Sequence, residues 1–218
     1  MRLRSLGFNR VPGAGHNDGL ALRGPVCPFI ATPMLPPRHK YARIEWERRF
    51  LLDHFPGEVV VTRVRRISDR YIEGTRLRLR QQTDGDDQVV FKLTQKLADD
   101  AAGARQGLIT SMVLTREEFD VLAKLPARVL TKTRHSVPPF GIDVFEGALS
   151  GIVLAEAEFE SAEAACRLTL PAFIGPEVTD DPRFTGGHLV TVSRRELEAV
   201  LAEHGIKPAA PGMRRPSL

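Results

Sequence analysis

From Tyr41 onward the apolar residues of this chain recur at every second position, and the positions between them are filled largely by charges. Residues i, i+2 and i+4 of a strand point to one side, so this alternation predicts sheet. It runs through 41–52, 59–72, 75–81, 88–96, 108–114, 128–135, 142–145 and 151–160. Gly74, Asp84-Gly85 and Glu146-Gly147 supply turn chemistry between segments. Helix signals are fewer. Thr115–Glu118 and Ser193–Glu196 are capping boxes, the second opening a helix over 194–203 that Gly205 ends. Ser161 caps a short helix that Pro171 stops. About eight closely spaced strands with three helices predict a mainly β (α+β) fold, an antiparallel barrel rather than a βαβ sheet.

The alternation begins after a segment of different composition. Residues 1–38 hold six of the 16 prolines and no sustained periodicity, which predicts a disordered Pro/Arg-rich leader or a start assigned too early, Met34 being a candidate start. The domain is expected over 39–205, with a disordered tail over 206–218. At 218 residues and 42% hydrophobic content the chain can build a core without disulfides or a structural metal. No apolar run reaches the ~18 residues a membrane helix needs. Cys27 and Cys166 form no C-x-x-C pair, which argues against a disulfide framework or thiolate zinc site and favours a reducing, cytoplasmic setting. The net charge of +4 comes from residues 1–40, where six cations face Asp18 alone, so the body is nearly neutral. With 6% aromatic content and one Trp, stacking platforms for nucleic acid are scarce, and no partner of that kind, nor a membrane, is expected. A homodimer is compatible with the sequence, which leaves the oligomeric state open.

The polar strand faces carry the chemistry. Glu45, Glu47 and Arg49 share one face; Arg76, Arg78 and Arg80 form a second row, Lys92, Thr94 and Lys96 a third, Lys132 and Arg134 a fourth, and Glu156, Glu158 and Glu160 a fifth. A sheet with one wet face explains any single row. Five nearly pure rows are less ordinary, and closing the sheet would turn them into the lining of a water-filled tunnel. Two pairs of carboxylates offer hard oxygen ligands suited to Mg²⁺ or Mn²⁺. Guanidinium forks and ammonium groups suit phosphoryl oxygens, so a cationic surplus beside a metal suits a linear polyphosphate. The P-loop pattern G-x-x-x-x-G-K-[ST] is absent.

Glu45-Trp-Glu-Arg-Arg49 resembles the E-x-E-x-K signature of the CYTH superfamily, the triphosphate tunnel metalloenzymes. Leu77-Arg-Leu-Arg80 is similar to its R-x-R strand, and Leu93–Lys96 to the strand ending in a functional lysine. Lys132-Thr-Arg134 resembles the K-x-R strand, Asp143-Val-Phe the D-x-F strand, Glu156-Ala-Glu158 the second E-x-E, and Glu177–Phe184 the E-V-T-x-D-x-R-Y segment. The resemblance spans 41–190 and is strongest to small bacterial inorganic triphosphatases. It implies a closed eight-stranded antiparallel tunnel barrel with a few flanking helices, and a Mg²⁺- or Mn²⁺-dependent hydrolase of inorganic triphosphate. Glu45, Glu47, Glu156 and Glu158 would hold metal. Arg76, Arg78, Arg80, Lys92, Lys96, Lys132 and Arg134 would bind the triphosphate, with Asp143 a structural acceptor for a tunnel cation.

Three departures matter. Arg49 replaces the signature lysine, which in some members works with a tyrosine; Tyr71 lies on the neighbouring strand where that partner would be. Arg49 and Tyr71 are therefore the candidate catalytic pair, although arginine cannot act as a base. The strand 108–114 lacks the alternating acids usual there, and Phe184 and Gly186 replace the usual Tyr and Asn. The alternatives are a weakly active or non-catalytic triphosphate-binding or nucleotide-binding domain, a thiamine triphosphatase, or an activity like that of class IV adenylate cyclases.

Overall fold

The computed structural model describes residues 40–99 and 103–206. The expected leader over 1–38 lies outside the described residues, and so does the expected tail except for Ile206, which is buried in the core. Eight strands follow the alternating segments: β1 (Arg43–Leu52), β2 (Arg63–Ile72), β3 (Leu77–Asp84), β4 (Val89–Asp99), β5 (Gly103–Leu114), β6 (Ala127–Val137), β7 (Phe140–Phe145) and β8 (Val153–Phe159). They close into a barrel in the order β1-β5-β4-β3-β2-β6-β7-β8. Every neighbouring pair is antiparallel. Closure removes the sheet edges that an open sheet of this kind would leave unpaired.

Among the described residues four helices flank the barrel: α1 (Arg116–Leu122), α2 (Ala162–Cys166), α3 (Gly186–Leu189) and α4 (Arg194–Glu203). The capping boxes work as their spacing predicts. Thr115 Oγ accepts the Glu118 N–H at 3.2 Å while the Glu118 carboxylate accepts the Thr115 N–H at 2.7 Å, and Ser193 and Glu196 repeat the arrangement. The helix α3, which contains His188, has no comparable signal, and its Gly-Gly start reads as loop. Cys166 is disulfide-bonded, which corrects the expectation of unpaired cysteines and withdraws the cysteine argument for a reducing compartment. Among the described residues no helix is long and apolar enough to cross a membrane.

Apolar residues on the outer faces of the strands are covered from outside. Phe119 of α1 stacks on Phe91 at 4.5 Å between ring centres and shields Leu79. Phe50, Ile142 and Ala155 pack with Phe55, Phe173 and Ile174 of the connecting segments. A second core forms differently. Leu51, Leu130, Phe145 and Leu154 continue the inward rows of β1, β6, β7 and β8, and the C-terminal segment sets Phe184, Leu189, Leu197 and Leu201 against them. The inward positions thus change from charged to apolar where the C-terminal segment covers them, so charge is confined to the rest of the interior.

Leu201 of α4 is fully buried in that second core. Leu201→Ala is expected to lower unfolding free energy by about 2–5 kcal/mol, read as a shifted urea midpoint with an unchanged slope.

Candidate functional site

Strand alternation inside a closed barrel gathers the five charged rows around one space. A cavity of about 960 Å³ lies within the barrel, and all thirteen side chains expected at the site face it: Glu45, Glu47, Glu156, Glu158, Arg49, Tyr71, Arg76, Arg78, Arg80, Lys92, Lys96, Lys132 and Arg134. Twelve of them stand on strands. Arg76 lies one residue before β3, exposed in the turn that opens it.

The carboxylates come from adjacent strands. β1 and β8 pair so that Glu47 is directly opposite Glu158, and Arg49 opposite Glu156. Like charges directly opposite across a ladder repel, so the Glu47–Glu158 position favours a cation between them. Burial, then Glu45, Glu156 and Glu47, push the Glu158 carboxyl above its ordinary value. Glu156 behaves oppositely: burial opposes its ionisation, but Lys132, Arg134, Arg49 and Lys96 outweigh it and hold it well below the usual range. Lys96 supplies the nearest positive charge to the other pair, its Nζ donating to Glu47 at 2.6 Å and lying 3.4 Å from Glu45. Gly107, opposite Glu45 on β5, makes this approach fit, since a Cβ there would stand 3.1 Å from the Lys96 side chain. Among the described residues no three acids are drawn together at coordinating distance. The donor set itself fits a hard divalent cation: oxygen-only ligands, with Glu45, Glu47 and Glu158 crowding one another while Glu156 is already neutralised by cations.

Two buried aspartates orient the cations, and they do so in the same way. Asp143 of β7, with no exposed surface, is directly opposite Arg134 and accepts from its Nε at 2.7 Å and Nη2 at 2.6 Å, and from Lys132 Nζ. Asp69 of β2, 1% exposed, is directly opposite Arg80 and accepts from its Nε at 2.6 Å and Nη2 at 2.7 Å, with Arg78 Nε 3.9 Å away. Arg134 also donates to Glu156. Burial opposes the Arg134 charge, but Asp143 and Glu156 raise it well above its ordinary value. Not every cation is matched. Lys92 lies directly opposite Arg80, and neither Lys92 nor Arg76 makes an ion pair with a described residue. Arg78 Nε is buried in the wall without an acceptor. The cavity therefore carries uncompensated donors.

Asp143 fits its expected role. Asp69 was missed by sequence reasoning, since it stands within Arg-Ile-Ser-Asp-Arg-Tyr and only the β2–β3 register reveals its partner. Asp84 was missed too; it pairs with Arg63 and lies 3.4 Å from Arg65 Nε.

Arg49 and Tyr71 do not form the pair expected of them. Arg49 is 3% exposed, and its two terminal nitrogens donate to the carbonyls of Phe184 and Thr179, each at 3.0 Å. Its backbone N–H donates to Thr179 Oγ1 at 3.0 Å, and that hydroxyl donates to Glu177 at 2.6 Å. Glu177 in turn accepts Arg48 Nη2 at 2.6 Å, and Arg183 bridges Asp181 and Glu203 of α4. The Glu177–Phe184 segment is thus a clamp that docks the C-terminal helices on β1. Tyr71 is beside Arg78 and Arg80 instead. Burial raises its hydroxyl above the ordinary tyrosine value in spite of those two guanidiniums, so it stays protonated near neutrality.

No family model matches the chain. An inorganic triphosphatase of Nitrosomonas europaea is 34% identical over 148 residues, covering 64% of this chain and 92% of that protein. The solved structure of the inorganic triphosphatase NE1496 is 26% identical with a TM-score of 0.45, covering 68% of this chain and 95% of its own. The PH1012 protein from Pyrococcus horikoshii OT3 is 13% identical with a TM-score of 0.39, over 75% and 91% of the two chains. The identity to the Nitrosomonas protein runs over nearly its whole length, and the closed barrel with its charged interior is the fold the strand signatures imply. The chain belongs to the CYTH superfamily, the triphosphate tunnel metalloenzymes.

Proposed function

We propose that the chain hydrolyses inorganic triphosphate with a divalent cation, Mg²⁺ or Mn²⁺. The observation that carries this reading is the single cavity lined at once by four glutamates and a surplus of arginines and lysines. A linear polyphosphate is the small ligand that matches both halves: bridged phosphoryl groups for the donors, and shared oxygens for a cation held by the acids.

The chain's own residues bind and orient. Lys132 and Arg134, braced by Asp143, and Arg78 and Arg80, braced by Asp69, hold the anion from the adjoining strands β6 and β3 on either side of β2. Lys92 and Arg76, without ion-pair partners, add charge along the β3–β4 wall. Water attacks the terminal phosphorus as its bond to the bridging oxygen breaks, so orthophosphate and pyrophosphate leave and the water proton passes to solvent or product oxygen. Glu45, Glu47 and Glu158 would hold the cation, with Glu156 beside them; when bound it neutralises charge developing on the phosphoryl oxygens. Arg49 serves as the C-terminal clamp, its guanidinium donating to the Phe184 and Thr179 carbonyls.

One observation favours the weakly active alternative. The guanidinium of Arg49 is committed to two main-chain carbonyls and cannot turn to substrate without releasing them. The two readings separate in a substrate panel of inorganic triphosphate, thiamine triphosphate, ATP and long-chain polyphosphate, crossed with Mg²⁺, Mn²⁺ and chelator. Phosphate release from inorganic triphosphate with either metal, abolished by chelator, is expected; tight calorimetric binding with negligible release would favour the binding domain.

Glu47→Gln is expected to lower metal-dependent turnover by at least about a hundredfold, because it removes a ligand from the carboxylate group while keeping its shape. Asp69→Asn is expected to raise KM for triphosphate by about tenfold or more by loosening Arg80, with a smaller change in kcat.

A further inference from the structure

Gly186 opens the short helix α3 and faces the cavity. Its φ lies outside the left-handed region, so its backbone conformation does not call for glycine. What calls for glycine is a contact. A Cβ built on Gly186 would stand 2.0 Å from the Tyr71 hydroxyl oxygen and 3.1 Å from the ring carbon that bears it. Both sides are fixed. Tyr71 is held in the β2 ladder between Arg78 and Arg128, with its ring packed against the C-terminal core. Gly186 follows the Phe184 carbonyl that Arg49 holds at 3.0 Å. The next glycine is unlike it, since a Cβ on Gly187 comes no closer to Tyr71 than 3.9 Å.

We propose that Gly186 is a positioning residue: the side chain it lacks leaves the place in which Tyr71 holds its hydroxyl beside Arg78, as a hydrogen-bond donor to the anion in the tunnel. The inference rests on the triphosphatase reading for its anion, and on geometry alone for the contact. Tyr71 and Gly186 are 115 positions apart, and the contact joins the barrel wall to the segment that covers the apolar end of the barrel interior. The hydroxyl contributes as a donor, because burial holds it protonated beside two guanidiniums.

The test is a double-mutant cycle read in two ways. In thermal melts without ligand, Gly186→Ala is expected to lower Tm by about 3–10 °C, while Gly187→Ala leaves it unchanged or raised. Adding Tyr71→Phe, which removes the clashing oxygen, is expected to restore at least half of the Gly186→Ala loss. In triphosphate hydrolysis, Tyr71→Phe lowers kcat/KM by about tenfold or more, Gly186→Ala falls to a similar level, and the double variant falls no further. Additive losses in either measurement overturn the proposal, as does wild-type hydrolysis by Gly186→Ala. If Gly186→Ala does not fold, a folded double variant supports the clash and an unfolded one overturns it. A wild-type protein with no hydrolysis would defeat the triphosphatase reading and leave the melting cycle to decide the contact by itself.

Discussion

A closed barrel forces its inward side chains to solve one another's electrostatics. The charged rows of this chain face inward, several of their members buried, and an unpaired ion in such a place is costly. Asp69 and Asp143 carry most of the solution. Each stands directly opposite an arginine on the adjacent strand, accepts from its Nε and Nη2, and reaches a second cation two residues along that arginine's strand. Asp is suited to this because its short side chain keeps the carboxylate near the strand wall. The guanidinium is then braced from behind. Two adjoining strand pairs, β3–β2 and β6–β7, use the same device, which lines one continuous side of the interior with braced cations.

Arg49 shows how one substitution redistributes roles without disturbing the barrel. Lysine at this position would offer a single ammonium, whereas the planar fork of arginine reaches two carbonyls at once. Those carbonyls belong to Thr179 and Phe184, in the segment that carries Phe184, Leu189, Leu197 and Leu201 onto the apolar end of the interior. Docking that segment is therefore coupled to a position two residues from Glu47, inside the charged cavity. The spacing of Glu177, Thr179, Asp181 and Arg183 acquires a mechanical reason: each makes a hydrogen bond or ion pair that ties the C-terminal segment together or to β1 or α4.

The parts of this arrangement that follow a period were legible in the sequence. All eight strands and the three capped helices lie where alternation and capping boxes put them, and every expected cavity residue reaches the cavity. What escaped was whatever depends on register. Asp69 is one charge among several in its segment until β2 is laid beside β3, and Gly107, outside the expected strand 108–114, gains its reason only where Lys96 crosses it. The expected partnership of Arg49 with Tyr71 failed for a related reason. Both residues face the cavity, but Arg49 is drawn to carbonyls more than 120 positions away, while Tyr71 meets Arg78 on the neighbouring strand.

The carboxylate side of the cavity is built on the opposite principle from the cationic side. Glu47 and Glu158 oppose each other across a ladder, a placement that destabilises the ligand-free protein. Lys96 relieves it only in part, since Glu158 remains pushed up by its acidic neighbours. A fold retains such a conflict when something that binds the folded state removes it, and mass action then returns the lost stability on binding. The cations present the mirror image: Arg78 Nε lacks an acceptor and Lys92 stands opposite Arg80. A polyanion and a divalent cation entering together would answer both conflicts, and either alone would leave one unresolved. On the function proposed above, this is the physical reason that the tunnel would suit a metal–polyphosphate complex more than either component by itself.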